Sequence, residues 1–436
     1  MTHDIAANRA RLRDLRGQLV GWLVGSAYPL WARNGVDPQN GGFVETLAQS
    51  GAPLRLPRRA RVQPRQIYAF AQAPGFGWDG DSRRIVRRGI DYFAAHYRRP
   101  DGLIRTLAGI DGTAVDDRAF LYDQSFALLG YAAAARALEA RAELEPRAVA
   151  LRQAIESRLS GSDGAFRSDE NQGRIFESNP HMHLLEACLA WGEIGSDPAW
   201  RVWTQRLVGL AMNRFIRPGT GALGEAFSPD WQPAPGIAGR IVEPGHQFEW
   251  AWLLMRAAGG EPGPLREAAL RLIAIGESAG VRDGVAINAL LDDFSVHDPA
   301  ARFWPQTERL KAALWAAQLT GDPSYWSMAA AAAASFQPYL ETRVAGLWLD
   351  IRQPGGTIVD GPAPASSFYH VVGAIEALND AVAALYSPRQ SRSFESRRIG
   401  RPAVLPGAVS TRGARDSFID CQSLGSGGGS WLIQRR

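Results

Sequence analysis

Apolar residues recur at three- and four-residue spacing over twelve stretches of the chain: 5–33, 61–73, 82–98, 118–140, 143–159, 180–194, 197–214, 246–258, 262–279, 304–320, 322–337 and 367–386. That spacing predicts amphipathic helices, and abundant alanine supports it. Period-two alternation is confined to short pieces beside six glycine-bearing turns. Gly42, Gly102, Gly164, Gly221, Gly284 and Gly346 lie 60, 62, 57, 63 and 62 residues apart, an even interval that marks an internal repeat. Two helices per repeat give six helical hairpins.

Six hairpins can stack as an open superhelix or close into a ring with an inner and an outer layer, the all-α (α/α)6 barrel. The chemically useful residues favour closure. Arg65, Tyr122, His183, His246, Gln306 with Glu308, and His370 fall near the N-terminal ends of alternate helices. If those helices form the inner layer, their starts surround one mouth. The expected division is a barrel domain over residues 1–386 and a basic Arg/Gly/Ser-rich tail over 387–436 that is expected to lack order.

Charge and composition narrow the function. The chain carries +4 overall, but the tail alone holds nine arginines and three acids, so the body is near −2 and nucleic acid is not an expected partner. Lys311 is the one lysine, which leaves no lysine-bearing phosphate loop in the first half. No stretch approaches eighteen uninterrupted apolar residues, so no membrane span is expected. Two cysteines, Cys188 and Cys421, make neither a disulfide framework nor a zinc site, and a cytoplasmic setting is expected.

Four of the seven histidines lie in pattern-rich segments. Glu243-Pro-Gly-His-Gln-Phe-Glu-Trp250 puts His246 in the first turn of a helix, with Glu249 one turn on along the same face. The helix N-terminus favours neutral imidazole there, hence a base, while a neighbouring carboxylate pulls the other way. Asn179-Pro-His-Met-His-Leu-Leu-Glu186 opens another helix, with Asn179 able to cap it and His183 and Glu186 on one face. His181 and His183 resemble a His-x-His metal pair, but residues two apart on a helix point about 200° from each other. No metal site and no cofactor are expected. Ser366-Ser-Phe-Tyr-His370 opens the last helix, with a serine as N-cap. His370 and His246 then face a small molecule from two directions, an arrangement suited to moving a proton beside a carbonyl. Arg65 can stabilise an oxyanion, and Trp304, Gln306 and Glu308 suit sugar binding by stacking and hydrogen bonds. A glycoside hydrolase would instead use two carboxylates from Asp123, Glu243, Glu249 and Glu308, with no task for the histidines. An open helical-repeat binding protein would have no convergent pocket.

Taken in order, Glu-Pro-Gly-His-Gln-Phe-Glu-Trp, Asn-Pro-His-Met-His-Leu-Leu-Glu-Ala, Trp-Pro-Gln-Thr-Glu and the late Tyr-His resemble the N-acylglucosamine 2-epimerase superfamily over roughly residues 10–386. The resemblance implies an (α/α)6 barrel and metal-independent proton transfer at sugar C2 through a cis-enediol. It implies His246 and His370 as the acid/base pair, with Arg65, Tyr122, Asn179, His183 and Glu249 at sugar- or histidine-contacting positions. Trp304, Gln306 and Glu308 would form the pocket segment on the fifth inner helix. The chain departs from the pattern at Arg61, where many relatives carry an aromatic. It also lacks the glycine-rich nucleotide-associated segment of the N-acetyl-sugar epimerases. The expected activity is aldose–ketose isomerisation of the D-mannose–D-fructose type, by a monomer or homodimer. A 2-epimerase or a sugar-phosphate isomerase is the alternative, and Arg58, Arg59 and Arg61 keep a phosphate in play.

Overall fold

The ring is closed by its inner helices. Val62–Gln72, Leu121–Ala137, Ser178–Ile194, Pro244–Ala257, Phe303–Thr320 and Phe368–Tyr386 each pack against the next, and the sixth returns to the first. The outer layer is Ser82–Tyr97, Arg141–Leu159, Ala199–Leu210, Pro264–Gly280 and Pro323–Ala334, each against the inner helix before it. The first helix, Thr2–Trp22, completes that layer against the sixth inner helix and Pro323–Ala334, and π-helical turns at Leu23–Ala27 and Trp31–Gly35 carry it on. This is the (α/α)6 barrel, and the open superhelix is excluded. The computed structural model describes residues 2–170 and 175–386, with side chains from residue 6 onward except at Ser162. The expectation for the tail at 387–436 lies outside the described residues.

The repeated glycines have one physical reason. All six stand at positive φ, between 69° and 96°, in turns where a side chain would strain the backbone. Each turn leads into a short strand piece that the following inner helix grips. Gln63 accepts from Phe43 N (2.8 Å) and donates to Phe43 O (2.9 Å). Gln124 does the same at Ile104 (2.8 and 2.9 Å), Gln247 at Leu223 (2.9 and 3.1 Å) and Gln306 at Ala286 (2.8 and 2.8 Å). In the third repeat His181 takes this place, its Nε2 accepting from Phe166 N (3.0 Å). In the sixth, Phe368 stacks on Trp348 instead, with ring centroids 5.5 Å apart.

These latches set the register of the inner wall. A residue two positions from a latch points about 200° away from it, and residues two before and two after share a face one turn apart. Two tiers therefore face the axis. The upper tier is Arg61, Tyr122, Asn179, Gly245, Trp304 and Ser366. The lower tier is Arg65, Phe126, His183, Glu249, Glu308 and His370. Gly245 is the one gap: a Cβ there would come within 2.5 Å of the Trp304 ring, so the missing side chain makes room for the indole.

Candidate active site

The upper tier opens into a cavity of about 580 Å³ lined by Arg59, Arg61, Arg65, Tyr122, Asn179, His183, Glu243, His246, Glu249, Arg302, Trp304 and His370, among others. Eight of the ten expected site residues are in that lining, while Gln306 and Glu308 are not. Gln306 has its amide committed to Ala286 on the outer side of its helix, so its position is that of a latch, away from any sugar. Glu308 is buried behind His370. Asn179 does not cap its helix, whose N-cap residue is Glu177, and its Oδ1 has no protein partner. Pro364 precedes the 3-10 turn Ala365–Ser367 that leads into the last helix, where serine was expected to cap.

Trp304 stands between the two histidines, its ring 5.2 Å from that of His246 and 5.5 Å from that of His370. Each imidazole is held by a carboxylate through Nδ1, which leaves Nε2 for chemistry. His246 Nδ1 lies 2.9 Å from Glu225 Oε2 and 3.8 Å from Glu243. Burial alone would lower the pKa of His246, but the Glu225 and Glu243 carboxylates overcome it and push it up to about 10. The neutral imidazole expected from the helix N-terminus is therefore reversed.

His370 has the opposite balance. Its Nδ1 lies 2.8 Å from Glu308 Oε1, but Glu308 also receives Trp252 Nε1 (3.0 Å) and the ammonium of Lys311 (2.6 Å). Lys311 is buried and lies 4.1 Å from the centroid of the Trp252 ring. Burial, followed by the cations of Arg65 and Lys311, drives the His370 pKa well down. Two histidines beside one indole are thus held in different protonation states, the pattern that separates an acid from a base.

The floor is a buried polar cluster. His183 Nδ1 is 3.4 Å from Glu186 and 3.8 Å from Glu249, and burial pushes its pKa to about 3 despite them. Tyr369 donates to Glu186. Burial and then the charge of Glu308 raise Glu249 well above the usual carboxyl range, so it faces the cavity as a neutral acid. Arg65 donates to Tyr122 Oη (2.6 Å) and Ser366 O (3.3 Å), with its guanidinium 4.0 Å from the Phe126 ring centroid. His181 sits on the far side of its helix as a latch, its Nδ1 2.7 Å from Glu177 O, and does not join His183. Two trios bring ligand atoms within 4.8 Å of one another, His183/Glu186/Glu249 and Glu249/Glu308/His370. Both overlap the hydrogen-bonded cluster just described, in which Tyr369 and Lys311 already use Glu186 and Glu308.

Glu225 and Lys311 were not anticipated. Lys311 is one turn beyond Glu308, and its being the one lysine was the available signal. Glu225 arrives from a loop: strand Phe176–Glu177 pairs with Ala226–Phe227, and Ser178 N donates to Glu225 O (3.0 Å).

A closed (α/α)6 barrel with paired histidines beside an aromatic-walled cavity fits a carbohydrate isomerase or epimerase. The comparisons give the particular family. The profile of the N-acylglucosamine 2-epimerase (GlcNAc 2-epimerase) family matches residues 41–374, and the chain belongs to that family. A Rhizobium meliloti (strain 1021) protein named mannose-6-phosphate isomerase is 47% identical over 376 residues, covering 84% of this chain and 96% of that protein. A Thermobifida fusca D-mannose isomerase is 29% identical over 343 residues, 70% of this chain and 82% of the relative. Among solved structures, a D-mannose isomerase superposes with a TM-score of 0.76 at 20% identity, covering 83% of this chain and 97% of that one. The cellobiose 2-epimerase of Spirochaeta thermophila does so at 0.76 and 22%, covering 86% and 98%. No helix among the described residues is long and apolar enough to cross a membrane.

Proposed function

We propose that this enzyme interconverts a mannose-configured aldose and its ketose by proton transfer at C2, with His370 as base and His246 as acid. The observation that carries this is the asymmetric support of the two imidazoles. Lys311 offsets the charge of the carboxylate behind His370, whereas two carboxylates face His246. In the open-chain sugar, His370 Nε2 removes the C2 proton. The C2–H electrons form C1=C2, and the C1=O1 pair moves to O1, which takes a proton from His246. The cis-enediol then gives its O2 proton to His246 as C2=O2 forms, and C1 takes the proton back from His370. Atoms and charge balance without an external acid or base.

Arg65 and the neutral Glu249 are suited to donate to O1 and O2 as charge builds there. Trp304 offers an apolar face to the sugar, and Tyr122, Asn179 and His183 supply polar contacts. The same enediol reprotonated at C2 from its other face would give an epimer, and the 2-epimerase among the structural relatives keeps that outcome as the second reading.

The test is incubation of the protein with D-mannose, D-mannose 6-phosphate and a small sugar panel in D2O, followed by NMR. Ketose formation with deuterium at ketose C1, and at C2 of the aldose that re-forms, is expected. Replacing His370 or His246 by Asn should lower turnover about 100- to 10,000-fold. Near-normal rates in both variants would remove the assignment. Activity should survive a chelator, and loss restored by one metal would overturn the metal-free route.

A further inference from the structure

We propose that Arg61 and Arg59 form an anion subsite for a phosphate on the C6 end of the sugar, which makes a hexose 6-phosphate the substrate. The proposal rests on the C2 reading above, because that fixes which end of the sugar lies over Trp304.

The ring order places the anion site. The first inner helix, which Arg61 precedes as its N-cap residue, lies across the barrel from the fourth, which carries His246. Across the axis from His370, on the opposite inner helix, His183 stands 6.5 Å away between ring centroids, and the far wall runs from His183 to Tyr122 (5.2 Å) and from Tyr122 to the Arg61 guanidinium (5.2 Å). A hexose with C1 and C2 between the histidines extends along this wall, and its C6 substituent points at Arg61.

Arg61 is also the arginine of the cavity that is held without being used. It lies over the Tyr122 ring, and its Nη1 stands 3.6 Å from Asp123 Oδ1, beyond ordinary hydrogen-bond length. Among the described residues no side-chain hydrogen bond engages its guanidinium, so its N–H donors are free to meet a ligand. Burial pushes the Asp123 carboxyl up, which weakens it as a counter-ion. Arg59 lines the same edge. Glu45 holds its Nε and one terminal nitrogen, leaving the other terminal nitrogen to the cavity. The remaining arginines are committed elsewhere. Arg65 is used by Tyr122 and Ser366, while Arg302, held through Nε by Asn288 and Nη2 by Glu243, is tied to the His246 side of the cavity, because Glu243 also faces His246. Arg58, grouped with these from sequence, is turned away from the cavity: it is buried, with its guanidinium on Asp37, Gly41 O and Tyr92. A guanidinium fork presents paired donors to phosphate oxygens, a geometry that a sugar hydroxyl cannot fill.

The test compares kcat/KM for D-mannose 6-phosphate and D-mannose in the full chain, in Arg61→Gln and in Arg59→Gln. The wild type should favour the phosphorylated sugar by about 100-fold or more, from one to two charge-assisted contacts worth about 10- to 100-fold each. Arg61→Gln should shrink that ratio about 10- to 100-fold and Arg59→Gln less. Raising salt should weaken the preference in the wild type. Preference for free mannose, or an equal loss on both sugars in Arg61→Gln, would overturn the subsite while leaving the isomerase intact. If neither sugar is turned over, the C2 reading fails. Calorimetric binding of mannose 6-phosphate to wild type and Arg61→Gln then decides the subsite by itself, with equal affinities rejecting it. Circular dichroism checks the fold of each variant, and Arg61→Lys, keeping the charge and losing the fork, should give an intermediate ratio.

Discussion

Replacing Glu225 by Gln tests the assignment of His246 as the acid. Glu225 sits 2.9 Å from His246 Nδ1 and does not line the cavity, so the change alters the proton affinity of the imidazole without removing a sugar contact. A charge-assisted hydrogen bond of this kind is worth about 1.5–3 kcal/mol. At 1.36 kcal/mol per pKa unit, its loss lowers the imidazole pKa by about 1–2 units. In the wild type His246 stays protonated to about pH 10. The alkaline limb of the kcat–pH profile, measured for C2 turnover from pH 6 to 11, should therefore move down by about 1–2 pH units in Glu225→Gln. KM should change less than kcat. Stability supplies an independent check. The folded-state pKa of His246 lies above its ordinary 6.5, so its contribution is complete below pH 6.5 and disappears as pH rises through about 10. Denaturation should show Glu225→Gln destabilised at pH 7 and closer to wild type near pH 10.5. An alkaline limb that stays in place in a folded variant would refute the reasoning, and His246 would then not be the group that carries the acid proton.

Lys311→Met should lower kcat at pH 7 by about tenfold and move the acid limb upward, because removing a cation lets His370 protonate more readily; an unmoved limb would mean Lys311 acts in packing alone. His181→Gln should fold, since glutamine fills the same latch in four other repeats. It should also soften acid unfolding: His181 titrates near 4 instead of 6.5, so the wild type loses up to about 3 kcal/mol of stability as pH falls through that window, read as urea midpoints at pH 7, 5 and 4. Gln247→Ala strands both the N–H and the C=O of buried Leu223 and should cost about 2–4 kcal/mol in urea titration with wild-type KM, unlike a change in the cavity wall.

The architecture was legible because its constraints are local. Positive φ demands glycine at each turn, and an even glycine interval exposes the repeat before any contact is known. The helix spans followed from apolar spacing, and the alternate-helix placement of Arg65, His183, His246 and His370 followed from the repeat. Gln306 was read as a sugar ligand because it sits between an aromatic and a carboxylate. Its true neighbours lie on the other side of the helix, 20 residues back in the chain. The signal was present: Gln63 and Gln124 stand at that same distance from the residues they grip. Glu225 had no such signal. It lies in a loop, and only the pairing of residues 176–177 with 226–227 carries it to His246. The protonation of His246 was misjudged for a matter of magnitude. A helix N-terminus contributes about 0.3–1 kcal/mol, less than one charge-assisted contact.

The same register explains why one lysine suffices to set the chemistry. Lower-tier residues share a level, so Glu249, Glu308 and the Glu186 beside them place three carboxyl groups in one buried layer with His370. Three carboxylates there would raise both imidazoles together and leave no base at neutral pH. Lys311 is one helical turn beyond Glu308 and, among the described residues, forms an ion pair with that carboxylate, at 2.6 Å, while Glu186 and Glu249 feel only its more distant charge. Glu249, without an ion partner that close, is driven to its neutral form by burial and by Glu308. Among the described residues Glu225 has no lysine or arginine paired with it within 4 Å: Arg217 acts on it only through its more distant charge and Ser178 Oγ donates to it at 3.0 Å, so its carboxylate still acts strongly on His246. The acid and the base are therefore distinguished by which carboxylate has a cation behind it. Moving that cation, by Lys311→Met with a new lysine one turn beyond Glu249 at Leu253→Lys, should raise the proton affinity of His370. Any surviving activity should then show its acid limb moved up into the neutral range. A double variant that folds and keeps the wild-type pH profile would show that the two histidines are set apart by something other than this lysine.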